Sequence, residues 1–201
     1  MKLALIVEGH GDVFALPVLV QRAAAEIDAT SPPEILRPAH RIPRGKLANK
    51  PNELQKAIEF QARRVGAAGG ILVVLDADED CPAQLGPSLL AVARAQRPHT
   101  KIAVVVAKRE FEAWFLAGAL SLRGKRGLRE DLEPPAEPED VVDAKGWLSS
   151  RMKRRYSETL DQVALSHELD LGEAAHAPSF GKFMRDLRAL LAGAGGTSGP
   201  S

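Results

Sequence analysis

The sequence predicts an α/β fold with a mostly parallel sheet, and three observations carry that prediction. Short unbroken apolar runs, Leu3-Ala4-Leu5-Ile6-Val7, Ile71-Leu72-Val73-Val74-Leu75 and Ile102-Ala103-Val104-Val105-Val106, have the character of strands buried on both faces. Helical patterns separate them, as parallel strands require. Two of the runs end directly on acid, the first at Glu8-Gly9 and the second at Asp76-Ala77-Asp78-Glu79-Asp80.

The elements follow in order. Residues 2–7 form the first strand. Asp12 is placed to cap a helix over 13–28, whose Phe14, Leu16, Leu19 and Val20 recur at helical spacing, with Pro17 as a kink point. Residues 34–43 are ambiguous, with a second strand as one reading. A Pro/Gly/Lys-rich loop leads to Pro51, which suits the first turn of a helix over 51–66. A strand over 71–75, a helix over 87–96 and a strand over 100–106 complete the alternation. Beyond 107 the pattern is helical: 109–120, where Phe111, Trp114 and Phe115 form one aromatic face, then 139–155, 157–165 and 178–192. Residues 1–120 are thus expected as the α/β core and 121–192 as a helical extension. The Gly/Ser/Pro stretch 193–201 is expected to be disordered.

Composition narrows the class. The 201 residues are 45% hydrophobic and 26% charged with a net charge of +1, so any contact with a polyanion must come from local patches. The single cysteine, Cys81, forbids an intrachain disulfide and fits a reducing compartment. The first apolar run is too short for a signal peptide, and no stretch approaches the roughly 20 residues of a membrane span. A cytoplasmic protein is expected.

The acids are the chemical signal. Ligands of parallel α/β sheets bind beyond the carboxyl ends of the strands, where Glu8 and the Asp76/Asp78 pair fall. If those strands are neighbours, three carboxylates converge, and like charges that close must share a proton or a cation. Mg²⁺, or Mn²⁺, suits such oxygen ligands. The spacing of two puts Asp76 and Asp78 on one side of an extended segment. Each acid taken alone is more simply a helix cap or a solvated side chain.

Glu110 and Glu112 begin the helix after the last strand, where negative charge favours the helix dipole. They lie about 200° apart on a helix, and Glu110, bordering the aromatic face, is the candidate for an additional ligand. Arg41, Arg44 and Lys46 form a basic loop, and Arg151, Lys153 and Arg154 a second cluster. Both are expected either as solvated surface or as clamps on a phosphate backbone. His10 is a turn residue with the same two readings. Gly9 and Gly11 are not followed by Gly-Lys-Ser/Thr, so no ATP-binding phosphate loop is present. Neither zinc spacing nor a nucleophilic serine motif is found.

Val7-Glu8-Gly9 and Leu75-Asp76-Ala77-Asp78, in this order and at strand ends, resemble the toprim domain of topoisomerases, primases and OLD-family nucleases. The resemblance implies a three-layer, Rossmann-like fold in which the Glu serves acid–base or metal chemistry and the Asp-x-Asp pair binds Mg²⁺. With the stretches 108–115 (KREFEAWF) and 178–183 (PSFGKF), the chain is similar over roughly 2–190 to the domain-of-unknown-function family 4276. Toprim-like proteins of this kind are associated with phage defence beside an ATPase, so an ATPase subunit is the partner implied.

The first functional expectation is a Mg²⁺-dependent phosphodiester hydrolase acting on DNA or RNA. Glu8, Asp76 and Asp78 hold the metal, Glu110 completes the shell, and the basic segments hold the strand. The rival is a non-catalytic toprim-like module of an ATPase complex. A weaker third reading is a receiver-type phosphoryl-transfer domain, with Lys108 as its strand-end lysine.

Overall fold

Strands that are apolar on both faces need helices on both sides, and the chain supplies them. The computed structural model describes residues 1–28 and 31–192. The predicted tail lies outside the described residues.

Strand β1 (Lys2–Val7) leads through a tight turn into α1 (Asp12–Ile27), which runs through Pro17 without ending. The ambiguous segment resolves into two short strands, β2 (Glu34–Ile35) and β3 (His40–Arg41), both paired with β1. A one-turn helix α2 (Arg44–Leu47) precedes α3 (Pro51–Val65), which starts on its proline as expected. Then come β4 (Gly70–Asp76), α4 (Pro82–Gln96) and β5 (Lys101–Ala107). Helix α4 begins five residues earlier than 87 because Pro82, with no N–H to satisfy, opens its first turn and Pro87 is carried inside it.

The sheet is five-stranded in the order β2-β1-β4-β5, with β3 beside the far end of β1, and every pairing is parallel. Leu3, Leu5, Val7, Leu72, Val74 and Val105 enter one hydrophobic cluster together with α1. The alternate residues Ala4, Ile6, Ile71, Val73, Val104 and Val106 enter a second cluster with α3 and α4. A three-layer, Rossmann-like sandwich results, as the strand pattern predicts.

Beyond β5 the helices are shorter than their periodicity implies. The expected helix over 109–120 is α5 (Ala113–Ala117) and a 3₁₀ turn, Ala119–Leu122. It breaks at Gly118, which lies so close to Leu169 that a side chain there has no room. Of the expected helix over 139–155 only α6 (Ala144–Ser149) and a turn at Pro138–Asp140 form, because Met152 bridges to Leu128 in extended form. A π-helical turn, Glu158–Gln162, leads into α7 (Val163–Glu168), followed by α8 (Leu171–Ala174) and α9 (Pro178–Leu191). Leu128, Leu148, Leu165, Phe180 and Phe183 of this region share the first cluster with the sheet. The extension therefore covers one face of the sheet. Among the described residues no helix is long and apolar enough to cross a membrane.

Trp114 ties the two parts together. It is fully buried, with its ring centroid 4.7 Å from Phe111, 5.2 Å from Phe180 and 5.6 Å from Phe183. Its Nε1–H donates to Ser179 Oγ at 2.8 Å, at the start of α9. Trp114→Ala is expected to cost about 3–5 kcal/mol, the scale for removing a buried tryptophan. A urea titration of wild type and variant measures it.

Candidate active site

Because β1 and β4 are neighbours, their acidic carboxyl ends face one pocket of about 290 Å³. Five acids line it, Glu8, Asp12, Asp76, Glu112 and Glu158, with Gly9, His10, Arg41, Pro43, Arg44, Lys145 and Gln162 completing the wall. Glu8 and Asp76, singled out in the sequence, are brought together as expected.

Asp78 is not. β4 ends at Asp76, and the chain turns so that Asp78 takes φ 49° instead of an extended conformation. Its carboxylate points to the surface and pairs with Arg44 Nε at 3.0 Å, so the alternation argument that aligned it with Asp76 fails. Arg44 also donates to the backbone carbonyls of Asp76 (3.0 Å) and Ala77 (2.6 Å) and pairs with Asp80 (2.5 Å). The predicted clamp residue is a staple for the acidic loop.

Asp12 is a site residue and not the helix cap. Gly11 occupies the cap position, while Asp12 Oδ2 accepts from Gly9 N at 2.9 Å and Oδ1 from Gln162 Nε2 at 2.8 Å. Glu112, not Glu110, reaches the pocket. Glu112 is 1% exposed, accepts from Tyr156 Oη at 3.0 Å and lies 3.0 Å from Lys145 Nζ. Glu110 instead accepts from Ala144 N (2.8 Å), Lys145 N (3.3 Å) and Lys145 Nζ (2.9 Å), holding the first turn of α6. The clue in the sequence was the run Ala113-Trp114-Phe115-Leu116, apolar on all sides, which draws its preceding carboxylate inward.

Lys145, Tyr156, Glu158 and Gln162 carried no sequence signal, since they come from the extension. Gly11 lets Gln162 in: an added Cβ there would land on Gln162 Oε1 and 2.7 Å from the Glu158 carbonyl oxygen. Arg41 lines the pocket, whereas Lys46 is exposed outside it. In the second basic cluster Arg151 stacks on Trp147 at 3.9 Å, Arg154 pairs with buried Asp161 at 2.5 Å, and Lys153 is exposed. Lys108 pairs with Asp140 and is not part of the pocket wall, which removes the geometry a receiver-type lysine needs.

The crowding sets the electrostatics. Burial, then Asp12, pushes the Glu8 carboxyl up to about 7. Burial also raises Asp12, and it raises Asp76 well above the usual carboxylate range with help from Glu112. Glu112 is pushed up to about 7 by burial, although Lys145 opposes the rise. Burial alone would depress Lys145, but Glu112 and Glu110 outweigh it and raise its ammonium. Three buried oxygens in the wall, Glu8 Oε2, Glu112 Oε2 and Gln162 Oε1, have no hydrogen-bond partner, and of these Glu112 Oε2 faces the Lys145 ammonium. Such oxygens call for a proton or a hard cation.

For a divalent cation the donor chemistry fits, since carboxylates and a carboxamide oxygen are what Mg²⁺ and Mn²⁺ take. The spacing is not that of a ready-made shell: among the described residues no three His, Cys, Asp or Glu side chains stand as a preformed metal group. Asp76 Oδ1 is held by Phe111 N at 2.7 Å.

Carboxyls raised in the fold bind protons more tightly there than in the unfolded chain. The stability that these carboxyls contribute is therefore fullest below the ordinary carboxylate range and is lost as pH rises through about 7, where Glu8 and Glu112 ionise. In chelator-treated protein the denaturation midpoint is expected to drop across that window. Glu8→Gln is expected to flatten the drop, as urea titrations at several pH values will show.

The match to a family model covers residues 7–188, nearly the whole described chain, and its description is Domain of unknown function (DUF4276). No curated protein and no solved structure matches the chain. The pocket and the helices that roof it lie within the matched span, and the chain belongs to the DUF4276 family.

Proposed function

We propose that this pocket hydrolyses phosphodiester bonds of DNA or RNA with a bound Mg²⁺ or Mn²⁺. One observation carries the reading: an oxygen-lined pocket at the ends of two neighbouring parallel strands keeps Glu8 Oε2 and Gln162 Oε1 buried without partners. The toprim resemblance supports it, because it assigns metal chemistry to the same two strand ends.

Glu8 and Asp76 would hold the cation, with Asp12, Glu112 and Gln162 around them. The cation would supply an activated water and charge neutralisation at the scissile phosphate. Arg41 contributes the phosphate contact: its Nε is buried without a partner and the residue lines the pocket wall. Exposed Lys46 and Lys153 hold the strand beyond the pocket. Asp78 acts through Arg44, keeping the loop after β4 in place. ATP turnover would belong to a separate ATPase subunit, and a phage-defence role is part of the same proposal.

The rival reading, a non-catalytic partner module, is favoured by the lack of a preformed metal group among the described residues. Cleavage assays on single- and double-stranded DNA and RNA with Mg²⁺ or Mn²⁺ separate the two. Asp76→Asn is expected to lower cleavage by at least about 100-fold, the scale for removing one electrostatic stabiliser at a reacting centre. No metal-dependent cleavage by folded wild type on any substrate would leave the partner module.

Arg41→Ala and Lys46→Ala are each expected to weaken nucleic-acid binding alike for all sequences. Each should flatten the log–log salt slope by about 0.7 to 0.9 for every phosphate that it ceases to neutralise. Arg44→Ala is expected to leave the slope nearly unchanged and to lower thermal stability instead. Binding isotherms at several salt concentrations, with a thermal melt of each variant, test all three.

A further inference from the structure

Strand β5 is the last in the sheet order, so among the described residues one of its edges has no neighbouring strand. Backbone groups alternate in direction along a strand. Ala107 O accepts from Ala77 N at 2.8 Å, which turns the odd-numbered residues of β5 toward β4. Ile102, Val104 and Val106 then turn their N–H and C=O groups to the free edge. Lys182 Nζ of α9 caps the Val104 carbonyl there at 2.9 Å, as lysines blunt sheet edges against pairing.

Before Val104 the edge is open. A groove of about 500 Å³ runs along residues 100–103, between α4 and α9. Leu90, Ile102 and Leu190 give it apolar walls, while Arg94, Lys101 and Lys182 set their cations around it against a single acid, Asp186. Among the described residues only Lys182 of these three is ion-paired, to Asp186. Lys101 Nζ donates to Ala192 O at 3.1 Å, and Arg94 is exposed.

We propose that this groove takes up an acidic, extended segment of a partner protein as an additional strand beside β5. Ile102 exchanges backbone hydrogen bonds with the segment, and the segment's carboxylates meet Arg94 and Lys101. Two copies of this chain paired edge to edge would set the same cations against each other, so charge favours a different partner. The groove lies at the amino end of β5, whereas the acidic pocket lies at the carboxyl ends of β1 and β4. A bound segment leaves that pocket open, and its binding does not depend on the hydrolase reading.

The probe is a short capped peptide of alternating valine and glutamate at millimolar concentration, with its glutamine analogue and its fully N-methylated analogue as controls. Amide hydrogen exchange of the whole chain is followed by NMR. At saturation the glutamate peptide is expected to slow exchange at Ile102 by about tenfold, the scale of one hydrogen bond, and to leave Ala103, which faces β4, unchanged. It is expected to bind more tightly than the glutamine analogue, and the methylated one is expected not to bind. Arg94→Glu, an exposed substitution checked for folding by circular dichroism, is expected to weaken binding at least about threefold, the scale for exchanging an exposed ion pair for a repulsion. No slowing at Ile102 with the glutamate peptide, or binding that survives methylation, overturns the proposal. Slowing at Ile102 that rises with protein concentration alone also overturns it and assigns the edge to a second copy. Slowing by an oligothymidylate and not by the glutamate peptide overturns it in favour of a nucleic acid.

Discussion

Carboxylate repulsion at the junction of β1 and β4 is the constraint on which the rest of the structure turns. Parallel pairing sets the ends of the two strands side by side, and each ends on an acid. Asp12 and Glu112 add further negative charge to the same space. A fold that gathers these groups must neutralise them, and the extension does so. Lys145 supplies charge, Tyr156 donates to Glu112, and Gln162 donates to Asp12. The helices beyond β5 are therefore more than a cover for apolar strand faces.

The same constraint explains the acidic loop after β4. Asp78 and Asp80 add charge just outside the pocket, and Arg44 binds both while gripping the backbone just before them, at Asp76 and Ala77. A single arginine from α2 thereby offsets the charge of the loop acids beside the buried ones. The basic segment that reads in sequence as a surface for polyanions has one member turned inward for this reason.

Much of the fold was legible because its signals are local. Unbroken apolar runs marked β1, β4 and β5, and Pro51 marked the start of α3. Glu8 and Asp76 were legible as site residues because strand ends are where such sheets bind ligands. What failed was geometry that depends on distant partners. Asp78 follows Asp76 by two residues, but the chain leaves the strand between them. Glu110 and Glu112 were weighed on an ideal helix that begins only after both. Lys145 and Gln162 had no local pattern, since their roles exist only once the extension lies against α1 and β4.

Gln162 and Asp12 are 150 positions apart in the chain, yet one hydrogen bond joins them at the floor of the pocket. During synthesis the strands that carry Glu8 and Asp76 emerge long before the residues that complete their surroundings. The acidic ends of β1 and β4 stay open to water until Lys145 and Gln162 have left the ribosome. The pocket is in this sense a late product of folding, and the order of the chain withholds its finished chemistry until the extension has followed the sheet.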